Sequence, residues 1–249
     1  QVASELPEKT EIVQLLELES DQRNLYESIR LVMETKVREL FVQKGVAASQ
    51  IQFLDALLKL RQACCDARLV PVEHARSVRS NAKLQWLRDT LPEMLEEGRN
   101  ILLFSQFASM LALIEDELTA LGISYSKLTG QTKHRQQQID AFQSGETRVF
   151  LISLKAGGTG LNLTAADTVI HYDPWWNPAA ENQATDRAYR IGQDKQVFVY
   201  KLIISKTVEE KVQQLQQFKQ GLADQIFSLG QSHIWQGEAQ DLLALFSED

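Results

Sequence analysis

Apolar positions recur at helical spacing through the first hundred residues. From Ser20 to Lys44 the residues Leu25, Ile29, Val32, Met33, Val37, Leu40 and Phe41 form one stripe, and Gly45 stands where such a helix would stop. Ser49 and Gln52 read as an S-x-x-Q capping box for a second helix, with Ile51, Leu54, Leu57, Leu58 and Leu60 on its apolar side. Leu84, Trp86, Leu87 and Leu91 predict a third helix from about Asn81 to Glu97, with Pro92 expected to bend it or end it early. The opening ELPEKTE reads as a loop, and no strand is predicted before Asn100.

From Ile101 the pattern changes. ILLFS (101–105) is a short run of the kind a strand buried on both faces requires. A helix over Phe107–Leu121 follows, stopped by Gly122, then a weaker strand at 124–128 and a helix over Lys133–Phe142. RVFLIS (148–153), a glycine-rich loop, TVIHY (168–172), a helix opened by Asn177-Pro178 and VFVYKLII (197–204) complete the alternation. Strands alternating with helices imply right-handed crossovers and a mainly parallel sheet, so this stretch is expected to be a three-layer α/β domain. Thr207 and Glu210 form a second capping box, opening a helix to about Phe227. Its stripe of Val208, Val212, Leu215, Phe218, Leu222 and Ile226 must pack on the preceding domain or on the helical leader. A short terminal helix over Ala239–Phe246 ends the pattern.

Three parts are therefore expected: a helical leader (1–98), the α/β domain (99–206) and a C-terminal helical brace (207–249). With 44% hydrophobic and 24% charged residues over 249 positions, the chain needs no disulfide or metal staple. Cys64 and Cys65 are adjacent and cannot reach ordinary disulfide geometry, which suits a reducing compartment. No apolar run is long enough for a membrane span and no signal-peptide h-region is visible, so a soluble protein is expected.

The net charge of −7 argues at first against a nucleic-acid partner. It is unevenly spread: residues 125–220 carry 12 basic and 9 acidic side chains, while the flanking segments are acidic. The middle permits a phosphate footprint without demanding one.

Metal and nucleophile chemistry find little support. The histidines at 74, 134, 171 and 233 are scattered, no C-x-x-C, H-E-x-x-H or G-x-S-x-G occurs, and His171 is expected to be a strand-end core residue. Two segments stand out. In SLKAGGTGLNL (153–163), Gly157, Gly158 and Gly160 let backbone amides approach an anion and Lys155 adds a charge; a tight turn with a solvated lysine is the alternative. A dinucleotide fingerprint fits poorly, since Leu163 stands where its third glycine belongs. In QATDRAYRIGQ (183–193), Arg187 and Arg190 are three apart and would share one helix face, suited to a γ-phosphoryl group or simply solvated beside Asp186.

Order and spacing join these segments. AGGTGLNL, DPWWNP and DRAYRIGQ together, with LRQACCDARLV, ILLFSQF and LTGQTKHRQ before them, resemble the C-terminal half of the motor of Swi/Snf-type ATPases, the double-stranded-DNA translocases of helicase superfamily two. The resemblance spans nearly the whole chain. It implies a RecA-like second lobe, with a lobe-bridging segment before it and a brace helix after it.

By that resemblance Arg187 and Arg190 match arginine fingers that complete an ATP site between two lobes. Gly158, Gly160 and Asn162 match nucleotide-facing positions, flanked by Gln183 and Gln193. Ser105, Gln106, Gly130, Gln131, Thr132, Arg135, Ser153, Lys155, Ala156 and Gly157 match blocks that grip the phosphate backbone, and Trp176 matches a tryptophan near the minor groove or, equally, a core anchor. No G-x-x-x-x-G-K-[ST] and no D-E-x-H is present. The resemblance therefore implies that ATP and Mg2+ are held mainly by an absent first lobe, that the chain is part of a longer, monomeric protein, and that alone it hydrolyses no ATP. Double-stranded DNA and that first lobe are the expected partners, in the cytoplasm (at the nucleoid) of a bacterium or the nucleus of a eukaryote. Alternatives are a non-catalytic interaction module and an RNA or single-strand helicase lobe; DRAYRIGQ differs from the H-R-x-G-R-x-G-R of RNA helicases.

Overall fold

Short, uniformly apolar runs become the middle of a parallel sheet. The computed structural model describes residues 5–154, 156, 161–174, 178–218 and 238–248. Its strands are β1 (Lys9–Leu16), β2 (Ile101–Ser105), β3 (Tyr125–Leu128), β4 (Val149–Ser153), β5 (Thr168–His171) and β6 (Val197–Ile204). They lie in the order β1-β6-β5-β2-β4-β3. Every pairing from β6 to β3 is parallel. β1 runs the same way, because Val197 N donates to Glu8 O at 3.0 Å and, eight residues on, Ser205 N donates to Leu16 O at 2.7 Å.

The chain divides into two compact units, residues 1–14 with 83–202 and residues 15–82 with 203–249. In the first, α3 (Ala82–Glu96) and α4 (Ala108–Ala120) lie on one face of the sheet, and α5 (Arg135–Gln143) and α6 (Pro178–Thr185) on the other. Alternation along each strand sends Leu102, Phe104, Phe150, Ile152 and Val169 to the core shared with Phe142, Ala184 and Ala188. Ile101, Leu103, Val149, Leu151 and Ile170 point to the opposite face, toward the apolar sides of α3 and α4. Arg88 of α3 closes a bidentate pair with Glu117 of α4 at 2.6 and 2.7 Å. The mixed sandwich matches the expected α/β class.

The second unit holds α1 (Ser20–Lys44), α2 (Gln50–Cys65), α7 (Val208–Phe218) and α8 (Ala239–Leu243). Phe246 is buried, packed edge-on to Phe53 with ring centroids 5.6 Å apart. Arg30 donates Nη1 to its carbonyl at 2.9 Å. Tyr26 Oη accepts from Val208 N at 2.8 Å, so α7 packs on the helical leader. Val208 and Val212 are buried, whereas the side chains of Leu215, Phe218, Leu222 and Ile226 lie outside what is described.

Four expectations change. KTEIVQLL is a strand rather than the tail of a loop, and its apolar residues fall on both sides of an edge strand, which hides the period of two. Ser49 does not cap α2: its hydroxyl donates to Leu40 O at 3.1 Å and Gly45 O at 2.8 Å, closing the α1–α2 turn. Pro92 sits inside α3 without ending it, with Leu91 and Met94 buried beside it. At α7, Thr207 Oγ1 accepts from Glu209 N at 3.2 Å, but Glu210 Oε1 receives Lys206 N at 3.5 Å, one residue earlier than a regular capping box.

Candidate functional site

Parallel strands leave their C-terminal ends along one edge, and Ser105 and Ser153 stand at those ends. Ser105 and Ser153 are register partners at the ends of β2 and β4. Ser105 is buried, its hydroxyl donates to Asp173 Oδ1, and Phe107 N donates back to it at 3.1 Å. Gln106 N donates to Asp173 Oδ2 at 3.0 Å. Asp173, itself buried, thus ties the turn between β2 and α4 to the segment after β5. The Ser105 hydroxyl is thus engaged on both sides within the fold, donating to Asp173 and accepting from Phe107 N.

The turn after β3 is built for exposure. Thr129 N donates to Thr132 Oγ1 at 2.9 Å and Gln131 N to Thr129 Oγ1 at 3.3 Å, leaving Gly130 and Gln131 in solvent. Arg135, at the start of α5, donates Nη2 to Ala156 O at 3.1 Å and so fastens the beginning of the glycine-rich segment. Lys155, Gly157, Gly158, Gly160 and Trp176 lie outside the described residues. Asn162 and Gln183 are exposed.

The two arginines differ from expectation in setting. α6 ends at Thr185, so neither lies on its helical face. The Arg187 carbonyl, which a continuing helix would offer to Ile191, instead accepts from Leu163 N at 2.9 Å. Arg187 is only 8% exposed, with its guanidinium carbon 5.5 Å from the Phe104 ring centroid. Burial, and then the positive charge of Arg135, push the Arg187 proton affinity below the ordinary arginine value. Arg190 is half-buried and donates Nη1 to Leu161 O at 3.0 Å.

Gln193 has a task the sequence did not reveal. Its Nε2 lies within hydrogen-bond reach of Thr164 O at 3.1 Å, Ala166 O at 2.7 Å and Ala188 O at 2.9 Å, and its Oε1 accepts from Lys195 N at 3.0 Å. Two amide hydrogens are here shared among three backbone carbonyls. With the bonds from Leu163 N and Arg190, this side chain clamps the exit of the glycine-rich loop to the arginine turn. His171 is fully buried, its ring stacked on Phe104 at 5.6 Å with Nε2 3.3 Å from Thr185 Oγ1. Burial and Lys201 push its pKa down to about 3, so it is neutral.

The chain and its fold have counterparts among known proteins. Residues 82–192 match the model of the helicase conserved C-terminal domain. The C-terminal domain of the Sulfolobus solfataricus SWI2/SNF2 ATPase superposes with a TM-score of 0.69 at 30% identity, covering 94% of this chain and 92% of that one. The chain belongs to the SWI2/SNF2 ATPase family. It is the family's C-terminal, RecA-like lobe. The same archaeal ATPase core solved in complex with double-stranded DNA superposes with a TM-score of 0.79 at 32% identity, over 98% of this chain and 51% of that one. Among curated relatives, YwqA of Bacillus subtilis is 38% identical over 99% of this chain and 27% of that protein. Protein CHROMATIN REMODELING 24 of Arabidopsis thaliana is 36% identical over 98% of this chain and 25% of its own length. The chain thus spans about a quarter of the curated relatives it matches.

Within this SWI2/SNF2 lobe, sequence reading passed over the supports Asp173 and Phe104 and the clamping role of Gln193, whereas His171 is the strand-end core residue it expected. Asp173 heads the DPWWNP motif, and a buried acid after an apolar strand was the available signal. The rest depend on which strands become neighbours, and no local pattern carries that.

Proposed function

We propose that this lobe is the second half of an ATP-driven double-stranded-DNA translocase, with Arg187 and Arg190 supplying positive charge to a nucleotide held mainly, with Mg2+, by an N-terminal lobe. Residues 1–98 would form its leader, which lends β1 and α3 to the sheet's unit, with 99–206 the lobe proper and 207–249 the brace. The observation that carries this reading is the Arg187 guanidinium, sunk at the sheet edge and electrostatically loaded by Arg135. Such a recess favours an anion, and a triphosphate fits that preference. ATP supplies the γ-phosphoryl group and its developing charge; this chain's part is to place two guanidinium groups where that charge spreads. The archaeal relative's complex with double-stranded DNA supports the duplex as the track. Gly130, Gln131, Thr132 and Arg135, with 153–157, would meet phosphates through amides, hydroxyls and cations, which fixes register without reading sequence.

The test uses the protein with its N-terminal lobe attached. Arg187→Ala and Arg190→Ala should each lower DNA-stimulated ATP turnover by roughly 10³-fold or more, the usual worth of an arginine finger. ATP binding, measured by a fluorescent analogue, should be largely kept. Turnover within a few-fold of wild type for either variant overturns the assignment. The 249-residue chain alone should show no DNA-stimulated hydrolysis.

A further inference from the structure

We infer that Phe104 is a positioning residue for Arg187: its ring is the platform on which the guanidinium rests, and His171 holds the platform from the neighbouring strand. The inference rests on the finger role proposed for Arg187. Phe104 is the penultimate residue of β2 and fully buried, and His171 is its register partner on β5. The two rings stack with planes 21° apart. The Arg187 guanidinium carbon lies 5.5 Å from the same phenyl centroid, inside cation–π range. His171 Nε2 reaches Thr185 Oγ1 at the end of α6, and Ala188 N and Tyr189 N both donate to Thr185 O at 3.0 Å. The arginine turn is therefore registered against the sheet twice, through its backbone and through its cation.

A phenyl ring is a chemically apt support. A carboxylate in that place would hold the guanidinium harder but would cancel the charge that a phosphate needs. A π-face attracts the cation through its quadrupole while carrying no net charge of its own. A neutral imidazole stacked on the far partner strand keeps the platform uncharged, since an imidazolium there would repel Arg187. His171 Nδ1 is buried with no hydrogen-bond partner among the described residues, as a ring kept for its stacking face would be.

The experiment uses the two-lobed protein and Phe104→Leu, which keeps apolar bulk and removes the π-face. The expected result is a kcat for DNA-stimulated ATP hydrolysis lowered roughly tenfold to thirtyfold, the worth of a desolvated cation–π contact. KM for ATP and affinity for duplex DNA should stay within about twofold, and Phe104→Tyr should restore kcat. In an Arg187→Lys background the leucine change should cost much less, because the planar guanidinium is what rests on the ring. If Phe104→Leu fails to fold, Phe104→Met is held to the same criteria. A folded variant with unaltered kcat, or an equal loss in both backgrounds, overturns the inference. If Arg187→Ala itself leaves turnover intact, the finger assignment fails; if it abolishes turnover while Phe104→Leu does not lower it, only the platform fails.

Discussion

Replacing Gln193 by leucine separates two roles for one amide. Leucine approximates its volume and deletes both amide hydrogens, which now serve the carbonyls of Thr164, Ala166 and Ala188, together with the oxygen that accepts from Lys195 N. Buried carbonyls stripped of a donor cost about 1–3 kcal/mol each. Two lost donations therefore sum to about 4 kcal/mol, and the apolar gain of a buried leucine returns about 1 kcal/mol of it. The net is about 3 kcal/mol, which for a domain of 150–250 residues lowers Tm by roughly 6–12 °C. Thermal unfolding followed by far-UV circular dichroism measures this on the chain alone, without nucleotide. Gln193→Glu should be worse than leucine, because it presents oxygens to three carbonyl oxygens. A Tm within about 2 °C of wild type for Gln193→Leu would refute the clamp, and a loss confined to ATP affinity would return this residue to the nucleotide.

Two further outcomes follow from buried polar groups. The pKa of His171 falls from 6.5 to about 3 on folding, so the unfolded chain binds the extra proton and the contribution is fully present above pH 6.5 and lost as pH falls toward 3. At pH 5 the loss is about 2 kcal/mol; urea unfolding of wild type and His171→Phe should therefore diverge in slope between pH 7 and 5, and parallel curves would refute a neutral buried imidazole. Asp173→Ala strips the Ser105 hydroxyl and Gln106 N of their acceptor and should cost about 2–4 kcal/mol, with Ser105→Ala costing less. A Ser105→Ala variant of unchanged stability but weakened DNA affinity would refute this structural role and favour the phosphate grip.

The strands and helices of the α/β part were legible because each run there has one environment. ILLFS and RVFLIS are apolar throughout and lie in the sheet's middle, and α4 follows its stripe within a residue of expectation. KTEIVQLL failed that reading because an edge strand meets protein on one side only, so Val13 and Leu15 remain exposed without marking a solvent face. The site was legible as a set of motifs and less so as geometry. Spacing put Arg187 and Arg190 on one helix face, yet the Leu163 amide captures the Arg187 carbonyl and ends helical bonding. A competition between a helix and a segment some twenty residues upstream is settled by tertiary contact. Ser105 illustrates the same limit: its place in a block that the resemblance assigns to the phosphate backbone was visible, whereas its commitment to Asp173 needed β2 and β5 to be neighbours.

An acidic chain can serve phosphates only if its positive charge is local and held against its own preference for water. Arg187 meets both conditions. Desolvation and then Arg135 weaken its hold on a proton. The surrounding bonds oppose escape into solvent: the Arg187 carbonyl is tied to Leu163, Arg190 to Leu161, and Gln193 spans both segments. In the proposed role an arriving anion would offset the charge of Arg135 as well as that of Arg187. That offset would grow with the negative charge that arrives, so the bonds that hold the arginine below the surface would favour the state in which phosphate charge is greatest. Under the finger role proposed for Arg187, that preference would serve to lower a phosphoryl-transfer barrier rather than merely to bind a nucleotide.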